Sequence, residues 1–184
     1  MVVRGSSAYE RELRSLLEGT PAAVRSYARA LPPELRTSFE RLTDEPFLVI
    51  RGAGSLGFDL VALRREFAFP LEVKASSEGV IRFTAASGRA DAQLAAHRAA
   101  VGRVGLTVLY AYRRLGHRSE EPWRVFLAGP APEWGVLKYL CRRLPPVNTT
   151  REGHGILRWE EGMPLSRFLD QVRFLMERST PVPA

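Results

Sequence analysis

Asp59, Glu72 and Lys74 have the types and the spacing to do chemistry. Asp59 heads an apolar run, 60–63, directly after a glycine-rich turn that carries Gly52, Gly54 and Gly57. Glu72, Val73 and Lys74 lie in the next apolar stretch. Successive side chains of a strand point to opposite faces, so Glu72 and Lys74 share one face, Leu71 and Val73 the other. If 59–64 and 69–76 pair as a hairpin, Asp59 lies beside Glu72, and two carboxylates converge with an ammonium at their edge. Such carboxylates repel each other, an arrangement that makes sense with a divalent cation between them. Mg²⁺ takes hard oxygen ligands and keeps several waters, so two carboxylates plus a substrate phosphate suit it. The cation would polarise a phosphate and lower the pKa of a bound water. Lys74 would orient that water or stabilise the charge of the transition state. Each piece also has a plainer reading. Glu-x-Lys is a common charge pattern on a solvated strand face, and Asp after Gly is an ordinary turn residue.

Several elements must form to position these groups. Ser7 and Glu10 stand at capping-box spacing and predict a helix from about Ala8. Tyr9, Leu13, Leu16 and Leu17 give it a buried stripe. Glu10 lies at the edge of that stripe, where it either closes the capping box or leans over the carboxylate pair as a third acidic ligand. Residues 18–46 read as a helical interruption, opened by Gly19 as a helix stop, with a first helix starting at Thr20-Pro21 and a division at Pro32-Pro33. Arg25, Arg29, Arg36 and Arg41 make it basic, either to touch a DNA backbone or simply as a solvated face. Residues 47–51 form a first strand, closely apolar up to Arg51 as a buried strand should be.

Further on, 80–84 is a short strand, and 90–104 a helix with Leu94, His97, Val101 and Val104 on one side. An interior strand at 106–112 pairs with 123–127 across a polar loop, 113–122. Residues 136–144 read as a helix with Arg142 and Arg143 in its last turn, where cations suit the helix dipole. A short strand at 155–160 precedes an amphipathic helix at 164–177, apolar through Leu165, Phe168, Leu169, Val172 and Leu175. The tail, 178–184, has turn-forming and disorder-prone composition.

Composition narrows the classes. The chain has 184 residues, a formal net charge of +7 and a hydrophobic content of 45%. One domain, or one with an appendage, is expected. The positive surplus favours polyanionic partners, nucleic acid first, and Arg, which greatly outnumbers Lys, suits bidentate phosphate contacts. A single cysteine, Cys141, excludes a disulfide framework and a Cys/His zinc site; it reads as a packed thiol. With no long apolar run and no apolar signal core, a cytoplasmic protein without membrane contact is expected. His97, His117 and His154 are scattered and pair with no Ser or Cys nucleophile, so a hydrolase triad is discounted. His97 is expected to pack on its helix.

Asp59 with Glu72-x-Lys74 resembles the signature of metal-dependent phosphodiester nucleases of restriction-enzyme-like fold. More narrowly, Gly5 with Glu10-Arg11-Glu12-Leu13, then Val49-Ile50-Arg51-Gly52-Ala53-Gly54-Ser55, then Asp59-Leu60-Val61-Ala62, then Leu71-Glu72-Val73-Lys74, resembles the archaeal-type Holliday junction resolvase family, Hjc. The likeness covers 5–17 and 47–76, is looser through 80–127, is absent over 18–46 and is weak beyond 130.

The resemblance implies an α/β, restriction-endonuclease-like mixed central β-sheet flanked by helices, with a helical insertion at 18–46 and a C-terminal α/β extension. A nuclease core would span 1–128, with 129–184 packed on it. The resemblance further implies a homodimeric endonuclease that uses Mg²⁺, with Mn²⁺ as a substitute, and cuts opposed strands of four-way DNA junctions. Glu10, Asp59 and Glu72 would bind metal, Lys74 would stabilise the transition state, and Arg11 and Arg51 would hold phosphates. Ser55 corresponds to an active-site serine; with no base placed to activate it, a phosphate or water contact fits better than a covalent nucleophile, and a turn hydroxyl is the plainer alternative. Two other outcomes stand beside this: a related nuclease for flaps, mismatches or ordinary duplex, and a non-catalytic binder of branched DNA.

Overall fold

The computed structural model describes residues 7–52, 57–84, 89–116, 120–133 and 135–179. Gly5, Ser55, His117 and the tail beyond Ser179 lie outside these, as does the side chain of Val104.

A six-stranded mixed sheet forms the middle layer, in the order β1-β2-β3-β5-β6-β9. Its strands are β1 (Leu48–Arg51), β2 (Leu60–Arg64), β3 (Phe67–Ser76), β5 (Leu109–Arg114), β6 (Trp123–Leu127) and β9 (Met163–Pro164). β3 and β5 run parallel; every other neighbouring pair in this sheet is antiparallel. A parallel pair needs a crossover connection. Here it is supplied by β4 (Val80–Phe83) and the helix α4 (Arg89–Val104). β4 leaves the main sheet to form a second, three-stranded one with β8 (Gly155–Arg158) and β7 (Asn148–Thr149).

Alternation along the strands divides the interior into two cores. Phe67, Phe69, Leu71 and Val73 of β3 point one way with Leu109 and Ala111 of β5 and Val125 of β6. There they meet Leu13 and Leu17 of α1 (Ser7–Leu17), together with Phe168 and Val172 of α6 (Leu165–Ser179). The interruption forms two helices, α2 (Pro21–Arg29) and α3 (Pro33–Glu40), and adds Val24 and Phe39 to the same core. A short helix, α5 (Leu137–Cys141), closes it, with Cys141 buried as expected. On the opposite face, Tyr110, Tyr112 and Phe126 pack against Leu94 and Val101 of α4 and against Ile81, Phe83 and Leu157 of the small sheet.

The first strand departs from expectation. β1 is an edge strand, not an interior one, with Leu48 66% and Ile50 46% exposed. Its apolar residues alternate like any strand's, but only the Val49 side is covered by the α1 core. The polar loop between β5 and β6 also holds a buried acid. Glu121 accepts hydrogen bonds from the Ser166 backbone N–H at 2.8 Å and the Ser166 hydroxyl at 2.5 Å, capping the start of α6. Among the described residues no helix is long and apolar enough to cross a membrane.

Candidate active site

The expected hairpin forms, joined by a two-residue turn at Arg65 and Glu66. Leu60 pairs with Leu71, so Asp59, one residue before β2, stands across from Glu72. The two ends of the glycine-rich turn are pinned. Gly52 N–H donates to the Asp59 carbonyl at 2.8 Å, and a Cβ at Gly52 would sit 1.8 Å from the Phe58 carbonyl oxygen, so only glycine permits this approach. Gly57 turns the chain back with φ +73°. Asp59 is then held from two sides: its N–H donates to the Leu71 carbonyl at 3.1 Å, and its Oδ2 accepts from Val73 N–H at 2.7 Å.

Glu72 and Lys74 share a face, as strand parity requires, but that face is roofed by α4 and Glu72 is only 3% exposed. Lys74 Nζ lies 2.5 Å from Glu72 Oε1. Gln93 of α4 donates from Nε2 to Glu72 Oε2 at 2.9 Å, and its Oε1 accepts from Lys74 Nζ at 3.3 Å. Burial pushes the Glu72 carboxyl up to about 7; Lys74 pulls it down and the neighbouring Asp59 charge raises it further. A cation would relieve that surplus of negative charge. Two facing carboxylates with hard oxygens fit Mg²⁺, which needs few protein ligands.

Glu10 stands one step outside this pair. Its carboxyl is raised by burial and then by Asp59, so it is an electrostatic neighbour of Asp59. Its Oε2 faces Arg51 Nη2 at 3.6 Å, while Ser7 Oγ accepts from Arg11 at 3.0 Å. The next acid on α1 turns elsewhere: Glu12 accepts from Arg113 at 2.8 Å and from Trp123 Nε1 at 2.9 Å, tying the helix to the sheet. Among the described residues no three of His, Cys, Asp and Glu are gathered as a group able to hold a metal ion. The expected trio is thus a facing pair, Asp59 and Glu72, with Glu10 beside Asp59. Arg51, at the end of β1, is mostly exposed and Arg11 exposed, both next to Glu10. Ser55 lies outside the described residues.

Sequence reasoning missed Gln93 and the polar role of His97. His97 is buried, as expected of a residue packed on its helix, yet both ring nitrogens are engaged: Nδ1 with the Tyr110 hydroxyl at 2.9 Å and Nε2 with the Gly57 carbonyl at 2.6 Å. Burial holds the imidazole below its usual pKa. The available signal was a Gln and a His four residues apart on an Ala-rich helix, hence on one face, interleaved with the apolar Leu94 and Val101.

No protein-family model matches the chain, and no curated protein matches it. Among solved structures the chain is similar to that of Archaeoglobus fulgidus Hjc, a Holliday junction resolvase from an archaeal hyperthermophile. The two are 18% identical with a TM-score of 0.45, over 73% of this chain and 91% of that one.

Proposed function

We propose that this chain is a Mg²⁺-dependent endonuclease whose substrate is a four-way DNA junction, cut by paired hydrolysis in opposed strands. One juxtaposition carries the reading: Asp59 across from a buried Glu72 whose carboxylate is in contact with Lys74. Asp59 and Glu72 would hold the cation, with Glu10 as a further acidic contributor beside Asp59. When bound, Mg²⁺ would supply a polarised phosphate and an acidified water. Lys74, drawn from Glu72 toward the phosphate, stabilises the charge that develops there, where a preorganised donor is most effective. Gln93 keeps Glu72 oriented as Lys74 leaves. Arg51 and Arg11 bind phosphate oxygens flanking the scissile bond, and Ser55 contributes a hydroxyl to phosphate or water.

The net charge of +7 suits the polyanionic substrate. The narrower choice of a four-way junction is supported by the motif resemblance at 5–17 and 47–76. A homodimer suits it, because a two-fold axis can set two sites on two opposed strands. In this reading residues 1–128 are the nuclease core, 129–184 an extension of it, and the enzyme works in the cytoplasm.

The test is a cleavage panel with Mg²⁺ on a four-way junction, a flap, a fork and linear duplex. Preferential, paired cutting of the junction is expected. Equal cutting of linear duplex would remove the junction from the proposal and leave a general nuclease. A second reading, a non-catalytic binder of branched DNA, draws on the engagement of both Glu72 oxygens by Lys74 and Gln93. It takes over if the wild-type protein binds junctions and cuts none of the four.

A further inference from the structure

We propose that His97 is a positioning residue for this site, latching the exit of the glycine-rich turn so that Asp59 is held opposite Glu72. The inference rests on the nuclease reading for its consequence, but the latch itself is a matter of hydrogen-bond chemistry. A carbonyl oxygen only accepts, so the 2.6 Å contact with Gly57 places a proton on His97 Nε2. In the neutral ring Nδ1 must then accept, and the Tyr110 hydroxyl donates to it at 2.9 Å. Tyr110 is itself fixed on β5, where it pairs in register with Glu72. A chain of contacts therefore runs from the central sheet through Tyr110 and His97 to the backbone that enters the site. The Phe58 ring reinforces it by stacking on the imidazole, centroids 4.7 Å apart and planes 22° from parallel.

The latch supplies the α4 side of a two-sided grip. Asp59 is bonded to β3 through Leu71 and Val73. The two residues before it, Gly57 and Phe58, are bonded to and stacked on His97. Gln93 Nε2 adds only a long contact to the same carbonyl, at 3.4 Å. Without His97 the Asp59 carboxylate keeps its bond from Val73 N–H, but the residues that lead into it, Gly57 and Phe58, lose their main anchor on α4, and the position of that carboxylate opposite Glu72 loosens. His97 touches no reacting group; it acts through Gly57 and Asp59.

A core-filling histidine would behave differently, and His97→Phe separates the two roles. Phe keeps the bulk and the stacking on Phe58 but makes neither hydrogen bond. His97→Gln restores a donor at the reach of Nε2. The full-length variants are compared by hydrogen exchange without metal, by melting, by metal-free junction affinity, and by junction cleavage across a Mg²⁺ titration.

His97→Phe should speed exchange locally at Asp59, Leu60 and Val73 relative to the β5 amides, and raise the half-saturating Mg²⁺. It should slow cleavage about 10- to 100-fold, the usual cost of losing a group that orients a metal ligand. Junction affinity without metal should be unchanged, and His97→Gln should recover most of the loss. Wild-type cleavage by His97→Phe, a uniform rise in exchange, or no recovery by His97→Gln would each overturn the proposal.

If the wild-type protein itself does not cut, the nuclease reading fails, and the local exchange pattern alone decides the latch. If His97→Phe does not fold, Tyr110→Phe removes only the hydroxyl. Faster exchange at Asp59 and Val73 then supports the latch, and unchanged exchange overturns it.

Discussion

The two faces of β3 are built from the same ten residues and serve opposite ends. Phe67, Phe69, Leu71 and Val73 press into hydrocarbon from α1 and α6. Between them, Glu72 and Lys74 face a roof made of Gln93 and His97, over a floor that includes Tyr110. The first face gains stability from area removed from water, roughly 25 cal/mol per Å² of apolar surface. The second buries an acid at a cost, and offsets it by giving each Glu72 oxygen a partner. Period-two alternation thus lets one strand be a structural beam on one side and a platform for strained charge on the other.

The largest stability effect should come from the dry face. Phe69→Ala opens a cavity between Phe67 and Phe168 and should cost about 3–5 kcal/mol in denaturant unfolding, with no change in how stability varies with pH. A smaller loss, or a new pH dependence, would break the division between the faces.

The polar face should show the reverse signature. Glu72 keeps its proton up to about pH 7 when folded, but in the unfolded chain it releases it near the ordinary carboxyl value of 4.5. Between those values the folded state binds more protons, so stability should fall as pH rises and level off above about 7. The whole swing is of order 3 kcal/mol. Glu72→Gln removes the titration, and unfolding measured at about pH 5 and about pH 8 should show the swing flattened relative to wild type. A swing of the same size in the variant would mean that another group carries it.

A smaller effect sharpens the contrast by testing a buried acid away from the site. Glu121→Ala leaves the start of α6 uncapped and should cost about 1–2 kcal/mol. Because Glu121 serves the helix, Mg²⁺-dependent cutting at a permissive temperature should not change; a loss of cutting without a loss of stability would place it in the site's machinery.

The dry face was the more legible from sequence. Apolar periodicity located α1, β3 and α6 and named most of the residues the two helices bury, with Leu71 and Val73 of β3 but not Phe67 or Phe69. Parity alone set Glu72 and Lys74 together, and the Asp59 position followed once the hairpin was assumed. Where the sequence misled, the cause was tertiary. The 47–51 run is apolar on both faces, and its sequence contains nothing to say that a single neighbouring strand would leave Leu48 and Ile50 in solvent. The β2–β3 turn falls at Arg65, which takes φ +51° without a glycine, so no turn signal marked how far the strands extend. Gln93 went unread because a polar residue on a helix is ordinarily solvated, and His97 was read as packing on its helix with no polar role; only the sheet beneath α4 makes them partners of Glu72 and Gly57. Glu121 was hidden the same way, inside a segment whose composition reads as loop.

The most direct measurement is junction cleavage and junction binding by Asp59→Asn, an exchange that keeps the shape and removes the charge. Cleavage in Mg²⁺ should fall below detection while metal-free affinity for the four-way junction stays at the wild-type value. Cleavage at the wild-type rate would show that Asp59 and Glu72 are not the chemical centre of this protein.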